Sequence, residues 1–315
     1  MPSSVRLIRA DTFEYLPTMP AGSVHCVVTS PPYWAQTHFN SEGDRYGNAP
    51  TLLEYRAQTR ILCRHLHPVI EDTGSLWVNM GYKREAGRLI DLPALWAQDA
   101  ESEGLLLAQK IVWDKNSSAP TPPGTRRERD VHEIVLHMIK NSNRYYYDTN
   151  VARAPYKNAS QANAQRQHHK ILKCTAQGLL TYAQSLKAHA EIDRRTKAGE
   201  NNRIMVHRSN ARGNLNSDRF YFDDWNKNGA LGSNVWQIGH GLVKDLSHPC
   251  PFPIRLAWEC IRRTCPRGGV VLDPFMGSGT TLVAAQMLDR AAIGIEIMRE
   301  HWETAKRRVG EAHRI

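Results

Sequence analysis

Short apolar runs that stop at a carboxylate, glycine or proline alternate along this chain with longer stretches whose apolar positions recur every three or four residues. Val5 to Asp11 reads as a strand ending in an acidic residue, Thr12 to Met19 as a short helix, and Val24 to Val28 as a buried strand. Thr51 to Ile70 reads as an amphipathic helix with Leu52, Tyr55, Ile61, Leu62 and Leu66 toward the core, broken by Gly74. Strands follow at Ser75–Asn79, Leu105–Trp113 and Val131–Lys140, with a helix at Leu92–Glu103. Asn234–Ile238 resumes order late in the chain. A helix at Ile254–Cys265, a strand at Gly269–Asp273, a helix through Leu282–Leu288 and a strand at Ala291–Glu296 come after it. Such alternation favours a mostly parallel sheet with helices on both faces.

Three stretches lack a period. Ala35 to Pro50 is polar and reads as a mobile loop, and Asp114 to Arg129 is too rich in Pro and Gly for regular structure. From about Val151 to Leu231 the alternation lapses, apart from a helical pattern at Gly178–Ala190. Of the formal charge of +10, much lies here: residues 151–230 hold 14 Lys and Arg against 6 Asp and Glu. A surplus that localised points first to a polyanion, with a merely solvated surface as the alternative. Arg126, Arg127 and Arg129 in the Pro-rich loop, and Arg203, Arg208 and Arg212 in the basic stretch, are candidates for phosphate or base contacts. A solvated loop accounts for the first three equally well. The division expected is 1–150, an insert at 151–231, and 232–315.

With 41% hydrophobic residues in 315, the chain can bury a full core. No run approaches the length of a membrane helix, and Met1 to Ala10 lacks the apolar region of a secretion signal, so a cytoplasmic protein is expected. The six cysteines form no C-x-x-C pair; reduced thiols are expected and no metal, with Cys26 and Cys260 in the core.

Candidate chemistry sits at two turns. Thr29-Ser-Pro-Pro-Tyr-Trp34 leaves the Val24–Val28 strand, and its prolines restrict themselves and their predecessors to extended backbone. A hydroxyl, rigid carbonyls and a flat ring within one turn suit a planar base bearing an amino group; a packed Pro-Pro turn is the plain alternative. The second turn, Pro274-Phe-Met-Gly-Ser-Gly-Thr-Thr281, lies between strand and helix, where backbone N–H groups can face a ligand. It lacks the lysine of a phosphate loop, and Leu282 stands where a dinucleotide fingerprint has glycine. A nucleoside held without a pyrophosphate remains, with Glu296, 23 residues after Asp273, able to accept both ribose hydroxyls. Asp11 ends a strand and can serve as a ligand contact, as a helix N-cap, or as both.

Together these motifs resemble the amino-methylating DNA methyltransferases of the permuted beta group, in which a Ser-Pro-Pro-Tyr-type tetrad precedes the recognition region and the cofactor loop comes last. The resemblance extends over Arg9–Glu14, Ile111–Asn116, His132-Glu133, His248–Pro253 and Glu296. It implies a Rossmann-like S-adenosylmethionine-dependent methyltransferase fold, circularly permuted, with a mostly parallel seven-stranded sheet and an inserted target-recognition region. It further implies Ser30, Pro31, Pro32 and Tyr33 as catalytic residues. Asp11, Thr29, Pro251, Phe252, Asp273, Pro274, Phe275, Gly277, Ser278, Gly279, Thr280 and Glu296 would bind S-adenosyl-L-methionine. Serine at the head of the tetrad is similar to the cytosine-N4 branch, acting on double-stranded DNA with base flipping; adenine N6 is the alternative, and a non-catalytic DNA-binding module the alternative of another class. Pro249-Cys250 has the form of a ring-carbon cytosine nucleophile, but its Pro-rich neighbours match the cofactor side. The implied setting is a restriction-modification, phage or epigenetic system in a bacterium, archaeon or phage, at the nucleoid, where a homodimer and a cognate restriction endonuclease are partners to test.

Overall fold

The computed structural model describes residues 4–35, 46–115, 127–128, 130–149, 151–154, 194, 205–209, 215–221, 230–239 and 252–312. The chain divides into two compact units, Met1–Val151 with Ser233–Ile315, and Ala152–Gly232. The first unit carries a sheet whose strands are β1 (Val5–Arg9), β2 (Val24–Thr29), β3 (Ile70–Met80), β6 (Leu106–Asp114), β7 (His132–Ile139), β12 (Val235–Gln237), β13 (Val270–Asp273) and β14 (Ala291–Glu296). They lie in the order β1-β14-β13-β2-β3-β7-β6-β12. Neighbours run parallel except β7, which is antiparallel to both β3 and β6. The sheet is thus mostly parallel, with eight strands rather than seven, because the short β12 adds a parallel edge to β6.

Alternation along the strands sends side chains into two cores. Val27 and Leu272 join α2 (Leu52–Val69) and α3 (Leu92–Ser102) in one. Cys26, Val28 and Val271 join α4 (Ile254–Thr264), α5 (Thr280–Met287) and α6 (Arg299–Ala312) in the other. The doubly wound arrangement inferred from the alternation is therefore present, and Cys26 and Cys260 are buried free thiols. The large buried indoles keep their N–H groups paired, as burial requires: Trp77 donates to Thr264 Oγ1 at 2.8 Å, and Trp113 to the Ile238 carbonyl at 2.8 Å.

Helix starts follow local chemistry. Thr51 accepts from Glu54 N at 3.2 Å to cap α2, and Asp91 accepts from Ala94 N at 3.1 Å to cap α3. Two expectations on α2 need correction. Tyr55, Thr59, Leu62, Leu66 and Val69 make its buried stripe, which turns Ile61 outward to 39% exposure. The helix ends at Val69, one residue after Pro68, and Gly74 lies inside β3. A Cβ on Gly74 would stand 2.7 Å from Ile70 Cγ2 and 3.0 Å from the His25 carbonyl, so the glycine serves close strand packing.

Two elements in this unit were not foreseen. A hairpin of β4 (Lys83–Glu85) and β5 (Arg88–Ile90) turns at Ala86 and Gly87, at φ 47° and 77°, and α6 closes the chain. The second unit holds two strand pairs, β8 (Arg153–Ala154) with β11 (Ala230–Leu231) and β9 (Met205–Ser209) with β10 (Leu215–Tyr221), in a stretch where no strands were expected. The helical pattern at 178–190 lies outside the described residues. No helix among the described residues is long and apolar enough to cross a membrane.

Candidate active site

β13 lies directly beside β2 in parallel register, with Leu272 opposite Val27. Asp273 and Thr29 therefore end adjacent strands, and the turns Pro274–Gly279 and Ser30–Tyr33 leave the sheet at one edge. Register carries further groups to the same edge. Thr29 pairs with Val78, the residue before Asn79, and Trp113 pairs with Glu133. Glu296 pairs with Arg9, two positions before Asp11. Carboxyl ends of parallel strands are where open α/β sheets bind ligands.

The glycine-rich turn is built around buried oxygens. Asp273, 1% exposed, accepts from Phe275 N at 3.1 Å and from the Thr281 hydroxyl at 2.7 Å. Burial raises its pKa to about 6, against the lowering effect of Thr281, Thr29 and Phe275 N–H. The Thr29 hydroxyl, also buried, stands close enough to Asp273 to contribute that effect without a hydrogen bond of ordinary geometry. Glu296 accepts from Gly277 N at 2.9 Å and Met298 N at 2.8 Å. Gly277 and Gly279 adopt φ of 49° and 80°, the left-handed region glycine tolerates. A Cβ on Gly279 would also meet Ala305 Cβ at 3.0 Å. Arg308 of α6 donates from one nitrogen to the Ser278 carbonyl at 2.6 Å, Ser278 Oγ at 2.7 Å and Thr280 Oγ1 at 3.2 Å.

Asp11 caps α1 (Thr12–Tyr15), accepting from Phe13 N at 2.7 Å, and the adjacent Thr12 hydroxyl donates to the Pro274 carbonyl. Asp11 is thus an N-cap, one of the two compatible roles open to it. Phe275 stacks on Tyr46 at 5.6 Å, and Tyr46 stacks on Tyr55 at 4.8 Å. Tyr55 then donates to the Pro32 carbonyl at 3.2 Å, so a row of aromatics joins the two turns. Phe252 is half-buried with the other core, on the opposite face of the sheet from Phe275.

At the Ser-Pro-Pro-Tyr turn, Ser30 Oγ donates to the Asn79 carbonyl at 3.2 Å. A hydroxyl whose proton is so engaged presents lone pairs outward and can accept an N–H. The half-buried Tyr33 hydroxyl lies 3.3 Å from Glu133 Oε2, and burial with that neighbouring carboxylate pushes its pKa well up, so it stays protonated. Trp34 anchors the turn, donating to the Ala49 carbonyl at 3.1 Å. The following segment returns at Gly47, whose carbonyl accepts from Ala35 N at 2.9 Å. Tyr46 and Ala49 are buried, so this end of the expected loop belongs to the core, while 36–45 lie outside the described residues.

The profile of the DNA methylase family N6_N4_Mtase matches residues 24–307, a span that takes in both turns. The chain belongs to this family. Among curated relatives, Type II methyltransferase M.Cfr9I of Citrobacter freundii is 24% identical, over 96% of this chain and 87% of its own length. Type II methyltransferase M.SmaI of Serratia marcescens is 24% identical, over 97% and 91%. Among solved structures, the PvuII DNA methyltransferase (cytosine-N4-specific) shares the fold with a TM-score of 0.64 at 16% identity, covering 100% of this chain and 93% of its own. TTHA0409 of Thermus thermophilus, solved in complex with S-adenosyl-L-methionine, gives 0.55 at 23%, covering 98% and 93%. The fold is that of the S-adenosylmethionine-dependent DNA methyltransferases.

In this DNA methylase Ser30–Tyr33, Asp11, Thr29, Asp273–Phe275, Gly277–Thr280 and Glu296 all lie at the one sheet edge. Arg127 is exposed, and Arg208 falls on β9. Arg126, Arg129, Arg203, Arg212 and Pro251 lie outside the described residues. Sequence reasoning missed Arg308, Tyr46, Tyr55 and Asn79. Arg308 stands in the run Lys306-Arg307-Arg308, which reads as a solvated face, and Tyr46 sits in a stretch with no period.

Proposed function

We propose that the chain is a site-specific DNA methyltransferase that moves a methyl group from S-adenosyl-L-methionine to the N4 amine of cytosine in double-stranded DNA. The observation that carries this is the adjacency of β2 and β13, which sets an acceptor-lined aromatic turn beside a glycine-rich turn bounded by carboxylates. The residues fit the cofactor. Glu296 is held beside the glycine-rich turn by accepting from Gly277 N and Met298 N, and a carboxylate is the type of acceptor that ribose hydroxyls require. Phe275 and Tyr46 offer aromatic surface. Arg308 is spent on oxygens of the turn, which suits a positively charged nucleoside better than a polyphosphate. Bound there, S-adenosyl-L-methionine supplies an electrophilic methyl on a sulfonium.

The chain's own residues orient the acceptor amine. An exocyclic amine is a weak nucleophile because its lone pair is delocalised into the ring, and its two N–H bonds call for two acceptors. Ser30 Oγ is one, its own proton held by Asn79. The Pro31 carbonyl is the second, since the Pro32 carbonyl is already engaged by Tyr55. Both would draw the nitrogen's lone pair out of the ring toward a tetrahedral form, ready to take the methyl as the sulfonium carbon–sulfur bond breaks and then to lose one proton to water. Tyr33 is the platform for a flipped base, whose unstacking costs a few kcal/mol. Orientation of this kind can lower a barrier by roughly 7–11 kcal/mol. Serine at the head of the turn supports cytosine over adenine. Residues 151–231 are the recognition region, and the order of turns is the permuted beta arrangement.

Nucleoside mass spectrometry of unmethylated genomic DNA treated with the protein and labelled cofactor tests this. N4-methylcytosine is expected, and its loss in Ser30→Ala and Tyr33→Ala with cofactor affinity retained. N6-methyladenine instead would correct the base, and full activity in both variants would refute the site. No methylated nucleoside on any DNA would favour a binding module.

A further inference from the structure

Behind the Ser-Pro-Pro-Tyr turn lies a polar cluster that methyl transfer as described above does not use. Glu133, at the start of β7, accepts from Asn79 Nδ2 at 2.6 Å through Oε2, and Lys115, just past β6, donates to Oε1. Glu133 Oε2 also lies 3.3 Å from the Tyr33 hydroxyl, and Asn79 Nδ2 lies 3.5 Å from that hydroxyl. Asn79 is 4% exposed, and its Oδ1 has no hydrogen-bond partner among the described residues. The carboxylate fixes the amide's orientation, since a flip would set Oδ1 against Glu133. Buried acceptors left unpaired are uncommon and mark sites with a role beyond packing. Gly81 makes room for the pair: a Cβ there would stand 3.3 Å from Tyr33 Cε2 and 3.5 Å from Glu133 Cγ.

We propose that Glu133, neutralised by Lys115, is a positioning residue for methyl transfer that acts through Tyr33 and Asn79. Two links carry the effect. One holds the Tyr33 hydroxyl, and so the plane on which the base stacks. The other holds the Asn79 side chain, and through its residue the carbonyl that accepts the Ser30 proton. At 3.3 Å the Tyr33–Glu133 contact exceeds the 2.5–3.0 Å of a full O–H···O bond, as contacts at active sites commonly do before the reaction complex tightens them. A carboxylate beside a phenol costs less when a lysine shares its charge, which accounts for Lys115 on the other oxygen. The raised Tyr33 pKa agrees, because it keeps the phenol a donor toward Glu133. Glu133 does not touch the base in this scheme. Its effect falls on turnover and not on cofactor binding.

This rests on the methyltransferase assignment, and the closing experiment separates the two. Methyl transfer to unmethylated genomic DNA is measured at saturating cofactor for the full chain and for Tyr33→Phe, Glu133→Ala, Glu133→Gln and the double variant Tyr33→Phe/Glu133→Ala. Cofactor affinity is measured in parallel by calorimetry. Loss of a hydrogen bond to a charged partner predicts a kcat about 10- to 100-fold lower in Glu133→Ala, with cofactor affinity changed less than about threefold. Residues that act through one link are non-additive, so the double variant should fall within about threefold of Glu133→Ala. Glu133→Gln retains an acceptor for Tyr33 and should recover most of the loss, which a merely structural role does not predict. A Glu133→Ala kcat within about twofold of the parent, or losses that multiply in the double variant, overturns the proposal while leaving the enzyme assignment standing. Should Glu133→Ala fail to fold, Tyr33→Phe and Glu133→Gln decide between them: a kcat about tenfold lower in Tyr33→Phe with Glu133→Gln near the parent supports the proposal, and a Tyr33→Phe kcat within about twofold of the parent overturns it. A parent chain with no transfer at all overturns both.

Discussion

Asp273→Asn is the perturbation whose size follows most directly from the site. The carboxyl is 1% exposed and its pKa is pushed from 3.8 to about 6 by burial, which outweighs Thr281, Thr29 and the Phe275 N–H. A rise of about two units is worth about 3 kcal/mol in favour of the neutral form. Because the folded pKa lies above the unfolded one, that contribution is fully present below about pH 4 and is lost as pH rises through 6. The parent chain should therefore lose about 3 kcal/mol of stability from this group between pH 4 and pH 7. Asparagine removes the titration and keeps the bonds. Its Oδ1 can still accept from Phe275 N, while Thr281, 3.2 Å from the Val28 carbonyl, can donate there and accept from Nδ2. Urea unfolding followed by tryptophan fluorescence, from pH 4.5 to 8, measures the difference between variant and parent. It should grow with pH in favour of Asp273→Asn. A difference that stays constant across the range would refute a buried, ionised Asp273.

Arg308→Met removes the one donor shared by Ser278 O, Ser278 Oγ and Thr280 Oγ1. At about 1.5–3 kcal/mol for hydrogen bonds to a charged group, cofactor affinity measured by calorimetry should fall about ten- to hundredfold if that group shapes the turn. Asp99→Ala strips the partner that Arg56 and Arg60 share at 3.0 and 2.9 Å between α2 and α3. With both guanidinium groups about a third exposed, the cost is expected near 2 kcal/mol, or about 4–8 °C in Tm by circular dichroism, with cofactor affinity unchanged.

What the sequence made legible was where strands stop. Val24–Val28 and Gly269–Asp273 end in residues whose backbone chemistry allows no continuation, proline in one and a proline followed by glycines in the other. The strand ends, and the turns they carry, could therefore be read locally. Which strands lie side by side could not be read that way, because β2 and β13 are joined by a pairing some 245 residues apart along the chain. Gly74 was misjudged for a related reason: a glycine that admits a neighbouring carbonyl looks, in sequence, like one that breaks a helix. Arg308 and Tyr46 were illegible because their character is burial. A basic run on a helix and a tyrosine in a polar loop have no pattern that announces it, and only packing against Ser278 and Phe275 gives them a role.

The two turns are cross-tied closely enough to behave as one unit. Thr281, on the helix that follows the glycine-rich turn, donates to Asp273 at 2.7 Å and stands 3.2 Å from the Val28 carbonyl of the strand that leads into Ser30. Thr12 ties the end of β1 to Pro274, and Phe275, Tyr46 and Tyr55 carry contact from one turn to the carbonyl of Pro32. A displacement of about 1 Å between nucleophile and methyl donor can cost a hundredfold in rate. Without such ties the two groups would sit on independent loops, free to drift by that much. Here the pairing of β2 with β13 is reinforced by buried threonines and a row of stacked rings. The strain of holding a desolvated carboxylate at Asp273 is then intelligible: its two oxygens fix the start of one turn and, through Thr281, the end of the strand that leads into the other.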